Sequence, residues 1–76
     1  GELLVRHLDK VGVLATVLDV VKRADLSVKE MHNTVFDNTG AATAAITLDR
    51  PAENAVLVSI RSSCDDVLGV EWIQFD

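Results

Sequence analysis

Hydrophobic residues follow two different periods along this chain and divide it into strands and helices. Residues 3–8 form a short run that is apolar at Leu4 and Leu8, and residues 41–48 divide into two alternating sets of side chains. A period of two predicts strands with one buried face. Between these strands, apolar residues recur every three or four positions, which predicts an amphipathic helix that ends at Ala24-Asp25. Its apolar positions are Val13, Leu14, Val17, Leu18, Val21 and Ala24.

Residues 27–36 are rich in β-branched side chains and predict the second strand. Their apolar alternation changes phase, because Val28 falls on the even-numbered set whereas Met31 falls on the odd-numbered set. A shift of one residue sends side chains to the opposite face of a sheet. We therefore expect a bulge near Lys29-Glu30, or else a strongly twisted edge strand.

A hairpin turn over residues 37–40 joins the second strand to the third. Asn38 or Gly40 would supply the left-handed residue that such a turn needs. The third strand would place one set of side chains toward a core, namely Ala42, Ala44, Ile46 and Leu48. Its other face would carry only alanine and threonine.

The last part of the chain predicts one more helix and one more strand. Pro51 suits the first position of a helix over about residues 52–62, because its missing N–H costs nothing there. Residues 67–75 predict the final strand, in which Gly69 is a candidate bulge. The residues of the second helix expected to face the core are Val56, Leu57 and Ile60.

The order strand, helix, strand, strand, helix, strand indicates the fold class. Two right-handed crossovers of this kind give a split βαβ arrangement. We therefore expect an α+β, ferredoxin-like βαββαβ sandwich, with a four-stranded antiparallel sheet and both helices on one face. The open face would carry Ala41, Ala45 and threonines, which suits packing against another sheet or domain better than stacking bases.

Length and composition limit the possible functions. The 76 residues make one domain, 1–76, and a chain this short buries only roughly 60% of its unfolded surface. We therefore expect its stability to be supported by a partner or by oligomer formation. A net charge of −5, with few and dispersed Lys and Arg residues, argues against nucleic acid as a partner. Because a strand pattern begins by Leu3, we expect the domain to be cut from a longer protein.

The cysteine and hydropathy patterns bear on the compartment. Cys64 is the only cysteine, so no internal disulfide framework exists, which fits a reducing compartment such as the cytoplasm. The longest apolar stretch, residues 11–21, is interrupted and is shorter than the about 20 residues that span a bilayer. No signal peptide is visible, and we expect no membrane partner.

The junction between the first strand and the first helix carries the candidate chemistry. Asp9 supplies a carboxylate, Gly12 a flexible bend, and the helix that begins at Val13-Leu14 supplies amides without intrahelical acceptors. The helix dipole leaves these amides partly positive, so an anionic group is favoured beside them. The junction is thus a candidate site for a small zwitterion such as an amino acid. In the alternative interpretation, Gly12 only turns the chain and Asp9 only caps the helix.

The same residues carry a resemblance to a known family. The pattern apolar-x-x-x-Asp-Lys-x-Gly-Val-Leu over residues 5–14, the amphipathic helix, and Ala24-Asp25-Leu26-Ser27-Val28 together resemble the ACT domain, a small regulatory module that binds amino acids in many biosynthetic enzymes. Residues 67–73 are similar too. Within that family, the chain looks most like the C-terminal regulatory domains of 3-phosphoglycerate dehydrogenases, the enzymes of L-serine biosynthesis.

This resemblance implies a regulatory domain without a catalytic site or cofactor of its own, at the C-terminus of a larger parent enzyme that uses NAD. Serine-sensing members pair through their second strands as homodimers and hold L-serine between the first loop of one copy and the second strand of the other. His7 corresponds to a histidine that contacts the ligand. The effector-binding residues implied for this chain are His7, Asp9, Lys10, Val11, Gly12, Val13, Leu14 and Ser27.

Three positions depart from the family pattern. Asp9 and Ser27 stand where asparagines are usual, and Val11 replaces the proline before Gly12. Asp9 can still accept a charge-assisted hydrogen bond from a ligand ammonium, whereas Ser27 has a shorter reach. Losing the proline loosens the loop by about 0.4–1 kcal/mol through the entropy of the unfolded chain.

Two alternatives remain open on the sequence alone. One is a dimerisation module that binds no effector. The other is a metal-responsive domain in which His7, Asp9 and His32 bind a divalent transition metal. No further ligand spacing supports the metal, so we expect no metal site.

Overall fold

A computed structural model of the chain describes residues 1–75 and contains six elements of secondary structure. Asp76, the last residue of the expected domain, lies outside the described residues. The elements are β1 (Glu2–Leu8), α1 (Val13–Arg23), β2 (Val28–Phe36), β3 (Ala41–Leu48), α2 (Asn54–Ser62) and β4 (Val67–Ile73). The strands form one antiparallel sheet in the order β2-β3-β1-β4, which confirms the ferredoxin-like βαββαβ fold.

The core lies between the helices and one face of the two central strands. Alternate residues of β1 and β3 are buried there, as the period of two requires. The helix α1 buries Val13, Val17 and Val21, and α2 buries Ile60. His7 occupies a core position on β1 although it is polar, and only 1% of it is exposed.

The start of α2 and the end of β4 each differ by two residues from the sequence-based expectation, whereas the starts of β1 and β2 each differ by one. The helix α2 begins at Asn54 after the extended Glu53, so the prediction that Pro51 takes the first helical position is wrong. Ala52 is buried in the core before the helix starts, and this packing holds the connection extended. The strand β4 ends at Ile73 because Ile73 pairs with Glu2, the first residue of β1.

Two bulges adjust the registers of the edge strands. In β2, Val28 pairs with Leu48 and Glu30 pairs with Thr47, so Lys29 is the extra residue and the expected bulge is confirmed. In β4 the register shifts next to Gly69, which leaves Leu68 as the extra residue opposite β1. The bulge in β2 places Val28 and Met31 on the same face in spite of their spacing.

The turns that join the elements use left-handed residues. Both Asn38, with φ of 65°, and Gly40, with φ of 70°, adopt this conformation in the hairpin turn. Asp25 does so after α1, with φ of 60°. The N–H of Asp25 donates to the carbonyl of Lys22, and the N–H of Leu26 donates to that of Val21. These two bonds form a Schellman motif, in which glycine is the usual left-handed residue.

We therefore expect Asp25→Gly to raise the free energy of unfolding by up to about 1 kcal/mol, because glycine adopts this conformation without a Cβ penalty. Urea denaturation measures the change. Asp65→Gly is the matched control, since Asp65 is exposed in a loop and its φ is not positive. Equal or lower stability of the Asp25 variant relative to wild type would contradict the prediction.

None of the helices within residues 1–75 combines the length and apolarity needed to cross a bilayer.

Candidate functional site

The loop between β1 and α1 is anchored on both sides by backbone hydrogen bonds. The N–H of Leu8 donates to the carbonyl of Asp66 at 2.8 Å, in the connection between α2 and β4. The N–H of Asp9 donates to the carbonyl of Gly40 at 2.8 Å, in the hairpin turn. The Lys10 ammonium lies 3.3 Å from the Asp66 carboxylate. The loop thus lies at one end of the sheet, next to the end of β2.

Gly12 forms the bend into the helix. Its φ of 86° and ψ of −12° are left-handed, and a Cβ at this position would meet no atom within 4 Å. The glycine is therefore needed for its backbone conformation, and the space above it is open. No side chain among the described residues caps α1, so Asp9 does not act as the helix cap in this structure.

The first amides of α1 form the positive end of the site. The N–H of Val13 donates to the carbonyl of Lys10 over a long 3.4 Å. For the amides of Leu14 and Ala15, no acceptor lies within residues 1–75. Such amides carry the positive end of the helix dipole. The amide of Leu14 is therefore better placed than that of Val13 to donate to a ligand, as was expected of both. The amide of Ala15 is an additional donor that the sequence analysis missed.

His7 lies beneath this loop with both ring nitrogens engaged. Its Nδ1 lies 2.9 Å from the carbonyl oxygen of Leu8, and its Nε2 lies 2.9 Å from Oδ1 of Asn33 on β2. The ring reaches across β3 on the core side of the sheet. In the single chain, the ring therefore supports the end of β1 from inside the protein.

Asn33 is the site residue that sequence reasoning missed. It pairs in register with Ala44, and His7 pairs with Ala42, so both side chains share the helix face of the sheet. The only signal in the sequence is a polar residue between Met31 and Val35, on the apolar face of β2. Only the register of the strands shows that this polar residue lies close to His7.

Ser27 lies at the opposite end of the sheet from the loop. Val35 pairs with the same β3 residue as His7, whereas Val28 pairs with Leu48. Six residues of strand separate these two rows, which is about 20 Å at 3.3 Å per residue. The N–H of Ser27 donates to Oδ1 of Asp49 at 3.0 Å. One chain alone therefore does not bring Ser27 to the loop.

The residues of the metal alternative lie on different faces. His32 pairs with Ala45 on the open face of the sheet, opposite to the face that carries His7. Its Nε2 lies 2.9 Å from the Glu30 carboxylate. Within the described part of the chain, no three His, Cys, Asp or Glu residues are placed to hold a metal ion together.

The strand β2 is an edge that is exposed on both faces. All of its residues are exposed, and its apolar side chains Val28, Met31, Val35 and Phe36 are between 37% and 48% exposed. The nearby helix α1 extends this apolar surface. Its residues Val20 and Arg23, with the adjoining Ala24, line a groove against α2. The half-buried Leu14 and Leu18 therefore lie on the opposite flank of α1.

Comparisons with known proteins bear on the fold. No protein-family model and no curated protein matches this sequence. Among solved structures, the fold is similar to the crystal structure of the ACT domain from GTP pyrophosphokinase of Chlorobium tepidum, with a TM-score of 0.70 and 16% sequence identity over 95% of this chain and 94% of that chain. That domain comes from a pyrophosphokinase, so the similarity gives no support to a dehydrogenase as parent enzyme. This chain therefore has the fold of an ACT domain along nearly its whole length.

Proposed function

We propose that this chain is an ACT-type regulatory domain without a catalytic site, which binds a small amino acid at the interface of a homodimer. The observation that carries the proposal is one juxtaposition: an open helix N-terminus lies beside an unpaired apolar edge strand. The ACT-like fold supports the same interpretation.

Pairing through β2 is supported by its exposure. An edge strand with unpaired N–H and C=O groups and apolar side chains readily pairs with another chain. Antiparallel pairing with a second copy would continue the sheet and cover Met31 and Val35. Leu14 and Leu18 of α1 would add apolar area on the helix side.

The same pairing would complete the loop site. Antiparallel strands place the N-terminal end of one β2 beside the C-terminal end of the other. Ser27 of one copy then approaches the hairpin turn of the second copy, whose Gly40 carbonyl accepts the N–H of Asp9. A residue that is about 20 Å from the loop within its own chain would thus reach the loop of its neighbour.

The residues around the loop suit a zwitterion. The amides of Leu14 and Ala15 would receive a carboxylate, and Asp9 would accept from an ammonium. Gly12 would let the backbone approach the ligand, with Lys10 and Val11 beside it and Val13 behind it. His7 would support the site from below. Val11 is fully exposed at the loop tip and is available to cover a ligand.

The proposed regulation is linkage between binding and domain placement. An amino acid that binds better to one relative placement of two domains stabilises that placement. The conformational equilibrium of the attached enzyme shifts with it. L-Serine is the first effector to test, and an NAD-dependent phosphoglycerate dehydrogenase is the first parent to consider. The support for both is the motif over residues 5–14.

Calorimetric titration of the domain with L-serine and the other common amino acids tests the proposal. We expect saturable heat with one of them and its loss in Gly12→Val, because a β-branched side chain both opposes the left-handed backbone and fills the open space above it.

Asn38→Val is the matched control, since Asn38 is also left-handed, with φ of 65°, and is exposed. Both variants should lose roughly 1–2 kcal/mol of stability, but only the Gly12 variant should lose the heat. A dimer that gives no heat with any amino acid would indicate a dimerisation module instead. Equal loss of heat in both variants would contradict the role of Gly12.

A further inference from the structure

We infer that Asn33 is a positioning residue that connects the β2 edge to the effector loop through the buried imidazole of His7. Its importance for regulation rests on the proposed function, which assigns the loop to the ligand and β2 to the second copy. The hydrogen-bonded connection itself depends on neither.

The donors and acceptors around His7 define the connection. The Leu8 carbonyl can only accept, so Nδ1 of His7 carries a proton and donates over 2.9 Å. The other nitrogen, Nε2, then faces Asn33 over 2.9 Å. An amide can meet either form of the ring, because Oδ1 accepts from a protonated Nε2 and the NH₂ group donates to a bare one.

Burial makes Asn33 important to the ring. His7 is 1% exposed, and a buried polar atom that loses its partner bears the full cost of desolvation. The β3 residues between the two side chains are Ala42 and Ala44, whose small size leaves room for the imidazole to reach β2. No other side chain within residues 1–75 hydrogen-bonds to this ring.

The other end of the connection is the loop itself. Leu8 accepts from the ring through its carbonyl and donates through its N–H to Asp66. The next amide, that of Asp9, donates to Gly40. A displacement of β2 at Asn33 would therefore move the imidazole and then the two residues that lead into the loop.

Asn33→Asp tests the contact directly. A carboxylate only accepts, so the ring must protonate Nε2 as well as Nδ1 to keep both bonds. We expect His7 to bind this proton at least about tenfold more tightly than in wild type. Nitrogen-15 NMR of the imidazoles during a pH titration measures this affinity, and the chain has only two histidines to assign.

Thr34→Asp is the matched control, because it adds the same charge one residue away on the opposite face. We expect it to leave His7 unchanged and to act on His32, which lies on that open face. Equal effects of the two variants on His7 would overturn the inference, as would an unchanged His7 in Asn33→Asp.

Asn33→Ala provides a second readout. Amide hydrogen exchange of Leu8 and Asp9 should become at least about fivefold faster, because the ring loses a partner while buried. Thr34→Ala should leave both rates unchanged. Unchanged rates in Asn33→Ala would overturn the inference. Neither readout involves an amino acid, so a failure to bind any effector would count against the proposed function alone.

Discussion

Lysine at both Met31 and Val35 should prevent the proposed dimer and keep the chain monomeric. Both residues lie on the helix face of β2, and pairing two copies through this strand would bring four ammonium groups into one apolar strip. Juxtaposed like charges at an interface cost several kcal/mol, so the dissociation constant should rise at least about a hundredfold. The monomer itself should keep its stability, because both side chains are exposed in the single chain.

Sedimentation velocity over a concentration series measures this change, and urea denaturation of the monomer checks its folding. Val58→Lys is the control, since Val58 is a comparably exposed apolar residue on α2 at 55%. A dimer that survives the β2 double variant but not Val58→Lys would place the interface on the helices and exclude the β2 pairing.

Leu3→Ala should cost about 2–5 kcal/mol of unfolding free energy, because Leu3 is fully buried between the sheet and the helices and its truncation leaves a cavity. A domain of 76 residues has roughly 4–11 kcal/mol in total. The variant should therefore lose a large part of its stability and populate the unfolded state under mild conditions.

Urea denaturation followed by circular dichroism measures this loss. Leu68→Ala removes the same atoms from a residue that is 48% exposed in the β4 bulge, and it should change stability by less than about 1 kcal/mol. Similar losses in the two variants would mean that Leu3 does not pack as the structure has it.

Most of the fold follows from local patterns in the sequence. The alternation over residues 41–48 fixes β3 to the residue, and the helical spacing from Val13 predicts which side of α1 is buried. The phase change in β2 predicts the bulge because two apolar residues at odd spacing must share one face. The start of α2 could not be predicted, since the burial of Ala52 depends on tertiary packing and outweighs the local preference of Pro51.

The candidate site likewise combines features that local sequence predicts with features that depend on tertiary structure. Gly12 and the open helix N-terminus are local features, and the sequence predicts them directly. The bond between His7 and Asn33 joins residues that are 26 positions apart. It becomes visible only when the registers of β1, β3 and β2 are known together. The approach of Ser27 to the loop would require a second chain, so no reading of a single sequence or a single fold can place it there.

The bulge at Lys29 restricts how two copies can pair. Regular pairing on β2 begins after it and extends from Glu30 to Phe36, and the middle residue of that segment is Asn33. If two copies align their regular segments, the molecular dyad passes next to Asn33. The two Asn33 side chains would then lie near the symmetry axis, and the path from one loop to the other would run through four side chains, those of His7 and Asn33 in each copy.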